Sequence, residues 1–161
     1  MSCFFLSVLF CGFSQSQVFI GSTGTNIGSY DEKADVITPH NSLISEYLQQ
    51  KHAGQKVVSF RIEKEEGIAY LISEVEYNDS DQNIRHKKVA ERLFSSNPSE
   101  RFSNGGDCEE HICDGACGGA GGIIQACTCC DFKRDNGNIT GCKCCQTGLC
   151  CHTKKTCVTR N

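Results

Sequence analysis

Val58-Ser59-Phe60-Arg61-Ile62-Glu63, then Glu65-Glu66-Gly67, then Ile68-Ala69-Tyr70-Leu71-Ile72-Ser73-Glu74-Val75-Glu76-Tyr77, is the stretch on which the fold is read. Val58, Phe60 and Ile62 alternate with Ser59, Arg61 and Glu63, the two-residue period of a strand with one buried face. Glu65-Glu66-Gly67 is a turn, Ile68 to Tyr77 is the returning strand, and Asn78-Asp79-Ser80-Asp81 breaks the pattern. Just upstream, Leu43, Ile44, Tyr47 and Leu48 make one helical face that Asn41 or Ser42 can cap. Lys51 and His52 suit its last turn, and Gly54 suits a left-handed stop. Downstream, Ile84 to Phe94 is ambiguous. Val89, Ala90, Leu93 and Phe94 fit a helix, Val89 and Leu93 also fit a strand, and the composition favours helix.

The expected fold is therefore a small α+β segment over 40–94, one helix plus a β-hairpin, followed by a small disulfide-rich module. The helix-then-hairpin order and Gly67-Ile68-Ala69-Tyr70-Leu71-Ile72 resemble the cystatin fold, with the glycine that closes its inhibitory loop and the strand after it. That resemblance implies inhibition of cysteine proteases. The chain departs from the pattern where cystatins carry Gln-Val-Val-Ala: here stands Glu63-Lys64-Glu65-Glu66, and there is no tryptophan among the 161 residues. Desolvating so charged a loop in a protease cleft is costly without paired partners.

Upstream of the helix, Val18 to Asp35 is rich in Gly, Ser, Thr and Asn without a clear period, and residues 15–39 read as a flexible arm. Before it, Met1 to Phe13 is apolar and uncharged, too short to cross a bilayer, and followed by small residues. This is the pattern of a secretory signal over 1–14, with processing after Ser14 or Ser16. Of 14 cysteines, the signal would remove Cys3 and Cys11, leaving twelve, an even number as full pairing requires.

Those twelve are Cys108, Cys113, Cys117, Cys127, Cys129, Cys130, Cys142, Cys144, Cys145, Cys150, Cys151 and Cys157. They define a module over 108–157 with a short tail, 158–161. Its larger apolar residues are few, so burial alone does not offset its chain entropy. Six disulfides, each contributing about 2–4 kcal/mol, would do so. The pairing is open. The repeated Cys127-Thr128-Cys129-Cys130 and Cys142-Lys143-Cys144-Cys145 units also resemble metallothionein repeats, but the secretory start and the even count favour disulfides, so no metal or cofactor is expected. Residues 95–107 form a polar linker open to nicking. Within it, Pro98-Ser99-Glu100-Arg101 resembles the signal that ends spider-toxin propeptides, which implies processing at Arg101.

Inside the module, Asn136-Gly137 is a two-residue hairpin signal. Lys133 and Arg134 lie near its tip, and Lys154 and Lys155 near the end of the chain; these are the target-binding candidates. Asn78 and Asn138 head glycosylation sequons. His111 and His152 neighbour cysteines, but cysteines committed to disulfides serve neither as ligands nor as nucleophiles. No acid–base pair is legible, so no enzyme is expected. The 16 basic and 19 acidic residues give a net charge of −3 with no basic stripe, which argues against nucleic acid. The expected protein is secreted and toxin-like or defence-like, binding an extracellular protein such as a channel or receptor, without stable membrane insertion. The alternatives are a cystatin-like protease inhibitor and a disulfide-crosslinked extracellular structural protein.

Overall fold

A computed structural model describes residues 15–21, 23–97, 109–115, 129–144 and 150–156. Strand is 67% of it, with one short helix and a nearly closed antiparallel sheet, which overturns the expected helix-plus-hairpin arrangement. The order is β1 (Gln15–Ile20), β2 (Thr25–Asp31), β3 (Val36–Pro39), α1 (Asn41–Lys51), β4 (Lys56–Glu65), β5 (Ile68–Asn78), β6 (Ile84–Ser95), β7 (Glu109–Asp114), β8 (Cys130–Asp135), β9 (Asn138–Cys144) and β10 (Cys151–Thr156).

The segment expected as a loose arm contains three strands. Val18 and Ile20 alternate inward along β1, and β2 supplies Ile27 and Tyr30. The stretch whose composition favoured helix is β6, which pairs with β5 along one edge. Its other edge forks. Residues 93–95 of β6 pair with β1, while residues 87–91 pair with β7, which in turn pairs with β10. Strands from both sides of the expected linker thus share one sheet.

One branch, β1–β2–β3, curls back toward β4. There Lys64 of β4 contacts Asp35 after β2, and the Tyr30 hydroxyl donates to Asp35 at 2.7 Å. α1 lies in the concave face, burying Ile44 and Leu48 against Val18, Ile20, Ile27, Ala69, Leu71 and Leu93. Each such aliphatic side chain contributes about 1.5–3 kcal/mol on burial. The helix is preceded by His40, with no side-chain cap from Asn41 or Ser42, and Gly54 takes the expected left-handed φ of 80°.

Along β5, Ala69 and Leu71 face this core, while Tyr70 and Ile72 face a second one on the opposite side. The β8–β9 hairpin covers that second face with Phe132 and Ile139, joined by Ala90 and Cys113. β5 is buried on both faces, so its continuous apolar run is explained. Both hairpin turns are as expected: Glu66 and Gly67, like Asn136 and Gly137, have positive φ, the two-residue geometry that matches strand twist. A bulge between Val57 and Ser59 shifts the β4 alternation and leaves Val58 47% exposed, although the sequence placed it on the buried face.

Candidate functional site

The hairpin is fixed to the sheet at both ends. At its base, Cys113 of β7 is disulfide-bonded to Cys142 of β9. Toward its tip, Arg134 points inward, donating to Glu63 at 2.6 Å, with Glu65 at 3.7 Å and the Tyr70 ring centre at 5.2 Å. Gly137 packs so closely on the Glu65 carbonyl that no side chain fits there. Cys144 and Cys151 are each in a disulfide as well. Cys130, expected in a disulfide, is a buried thiol donating to the Cys113 carbonyl at 2.9 Å, and burial pushes its pKa up to about 12. Such a thiol is unreactive.

Of the four basic candidates, Arg134 is spent on this internal contact. Lys154 pairs with Glu109, and Lys155 lies 3.5 Å from Glu110. Lys133 is exposed on the hairpin, as are Thr140 and Lys143, while Asp131 lies 3.5 Å from Lys88 of β6. Asn138 opens β9 and Asn78 ends β5, both exposed. Ser14, Arg101, Cys108, Cys117, Cys127, Cys145 and Cys157 lie outside the described residues.

β7 carries two polar clusters that the sequence reading missed, one on each face. On the concave side Lys51 of α1 contacts Glu110 and lies 2.7 Å from Glu91 of β6, whose carboxylate also accepts from the Tyr47 hydroxyl at 2.6 Å. Burial raises the Glu110 pKa, but Lys51 and Lys155 outweigh it and hold the group below its ordinary value. Where the β6 fork parts, these groups border an open cleft of about 450 Å³, lined by Thr23, Thr25, Tyr47, Gln50, Lys51 and Glu110. Beside it, burial, with Lys51 and Lys87, lowers His52 to about 4.

On the other side, His111 is fully buried with Nδ1 3.0 Å from His152 Nε2 of β10, while its Nε2 is 3.3 Å from Glu109. Arg92 stands 3.8 Å from Glu109, and Tyr70 meets the His111 ring edge-on. Burial lowers the pKa of both histidines. Glu109 partly offsets this for His111, whereas Lys154 adds to it at both. The signal that would have found these clusters is the alternation Glu109, His111, Cys113 against Glu110, Ile112, Asp114, which sends successive charges to opposite faces.

Among the described residues no group of three His, Cys, Asp or Glu side chains is placed to hold a metal ion, and no helix is long and apolar enough to cross a membrane. Comparison with protein-family models, curated proteins and solved structures finds no match to this chain.

Proposed function

We propose that the chain is a secreted, toxin-like or defence-like binding protein without catalytic activity. It meets an extracellular protein through the outward face of the β8–β9 hairpin, with residues 15–97 as the scaffold that holds the hairpin in place. The observation that carries this reading is the one-sided fixing of the hairpin. Its inner face is held by Cys113–Cys142, Phe132 and Arg134, while Lys133 and Lys143 are exposed. A rigid loop loses little conformational freedom on binding. Two exposed lysines suit an acidic partner surface. The apolar start and the disulfides favour an oxidising destination. Entry of the Glu63–Gly67 loop into a protease is disfavoured, because Arg134 and Gly137 already occupy that loop.

The test is expression of the full chain in secretory cells. The expected product is in the medium, without residues 1–14, and its mass shows most thiols alkylated only after reduction. It binds intact cells saturably, and Lys133→Glu with Lys143→Glu weakens that binding at least about tenfold while leaving the circular dichroism unchanged. A reduced product retained in the cytosol, or binding indifferent to the double variant, would overturn the proposal.

A further inference from the structure

The β7–β10 seam holds an arrangement that target binding does not use. The His111 and His152 rings are within 10° of parallel, with centroids 5.2 Å apart and facing nitrogens 3.0 Å apart. The nitrogen separation plus one ring radius on each side accounts for the centroid spacing, so the rings meet nitrogen to nitrogen, nearly coplanar, and not face over face. One proton fits between them. Hydrogen bonding assigns the tautomers: His111 Nε2–H donates to Glu109, which leaves its Nδ1 to accept from His152 Nε2–H. A first added proton on His152 Nδ1 leaves that bond intact. A second, on His111 Nδ1, sets N–H against N–H.

We propose that the His111–His152 bond is an acid-sensitive clasp, holding β10 to β7 while at least one imidazole is neutral and loosening the seam when both are charged. The groups facing the pair come from every strand packed around it: Glu109 on β7, Arg92 on β6, Tyr70 on β5, Lys154 on β10, and Arg134 of β8 across the Tyr70 ring. Glu109 is the carboxylate in contact among the described residues, and it already serves Arg92 and Lys154. A second imidazolium therefore adds charge to a region where cations prevail. In the opened seam the histidines take up protons near the ordinary 6.5, while the clasped pair resists, so closure is favoured above that pH and weakens below it. The seam is also narrow. Among the described residues β10 pairs with β7 alone, and five of its six residues are exposed, His152 being the exception.

The experiment uses the full chain with its disulfides intact, following amide-exchange protection of β10 and the ring protons of His111 and His152 between about pH 7.5 and 5. Protection in β10 is expected to fall about tenfold or more, and by clearly more than that of the β4 and β5 amides, which report the stability of the chain as a whole. The two rings are expected to titrate in separated steps. In His152→Gln the pH response of β10 is expected to shrink to that of β4 and β5. Independent titration of both rings near 6.5 with constant β10 protection would overturn the proposal. So would equal loss of protection in β4 and β5, which would mark general acid unfolding.

Discussion

Arg134 on β8 and Glu63 on β4, 71 residues apart in sequence, are joined at 2.6 Å over the edge of the second core. The contact locks two turns side by side, and the guanidinium covers the Tyr70 ring as it does so. Arg134→Met is expected to destabilise by about 1–2 kcal/mol in urea unfolding, because Glu63 keeps Arg61 but loses its second guanidinium, and the Tyr70 ring loses its cover. Arg134→Lys restores little, since an ammonium cannot both reach the carboxylate and lie flat on the ring.

Gly137 presents a separate requirement. Its φ is +76°, and an added Cβ would overlap the Glu65 carbonyl oxygen. Gly137→Ala is expected to cost at least about 2 kcal/mol, more than left-handed strain alone, with the excess coming from displacement of the β4–β5 turn. Thermal unfolding of the variant beside Gly54→Ala, where the φ is +80° and the space is open, separates strain from overlap.

Lys51 stands between two carboxylates, and Glu91 is 2% exposed. Lys51→Met is expected to cost about 3 kcal/mol, because it takes the ammonium away from a buried carboxylate while the Tyr47 hydroxyl stays in place. Adding Glu91→Gln to that variant is expected to recover part of the loss. A double-mutant cycle in urea reads the coupling directly.

The stability of the whole chain is expected to be flat above about pH 6.5 and to fall below it. His52 is held neutral to about 4, so between 6.5 and 4 the unfolded chain binds a proton that the folded chain refuses. His111 and His152 act in the same direction. Glu109 and Glu110, whose pKa values are depressed, stabilise above the ordinary carboxylate value of 4.5 and lose that contribution as pH falls further. Urea midpoints from pH 8 to 4 check the curve, and His52→Gln is expected to flatten its upper limb.

Local signals were legible in the sequence and non-local ones were not. α1, the β4–β5 hairpin and the Asn136-Gly137 turn were readable because period and turn chemistry lie within a few residues. β6 was not, since Lys87, Lys88, Glu91 and Arg92 are good helix formers, and three neighbouring strands impose the extended state. β1 to β3 hid behind glycine and serine, although Val18 and Ile20 carried the right alternation. Gly28 reads as a loop residue, yet it lets β3 approach, its space being filled by the Thr38 carbonyl. The histidine pair depends on β10 lying beside β7, a pairing across 41 residues that no local window contains.

Because β5 is buried on both sides and β6 carries β7 along five residue pairs, a protease that cuts after Arg101 does not thereby separate what it has cut. The hairpin would keep its floor of Tyr70 and Ile72, and Arg134 its hold on Glu63. The nicked product would travel as a single particle through native chromatography and fall into two peptides only in denaturant. A cut there, on that geometry, would yield a heterodimer and not a liberated fragment.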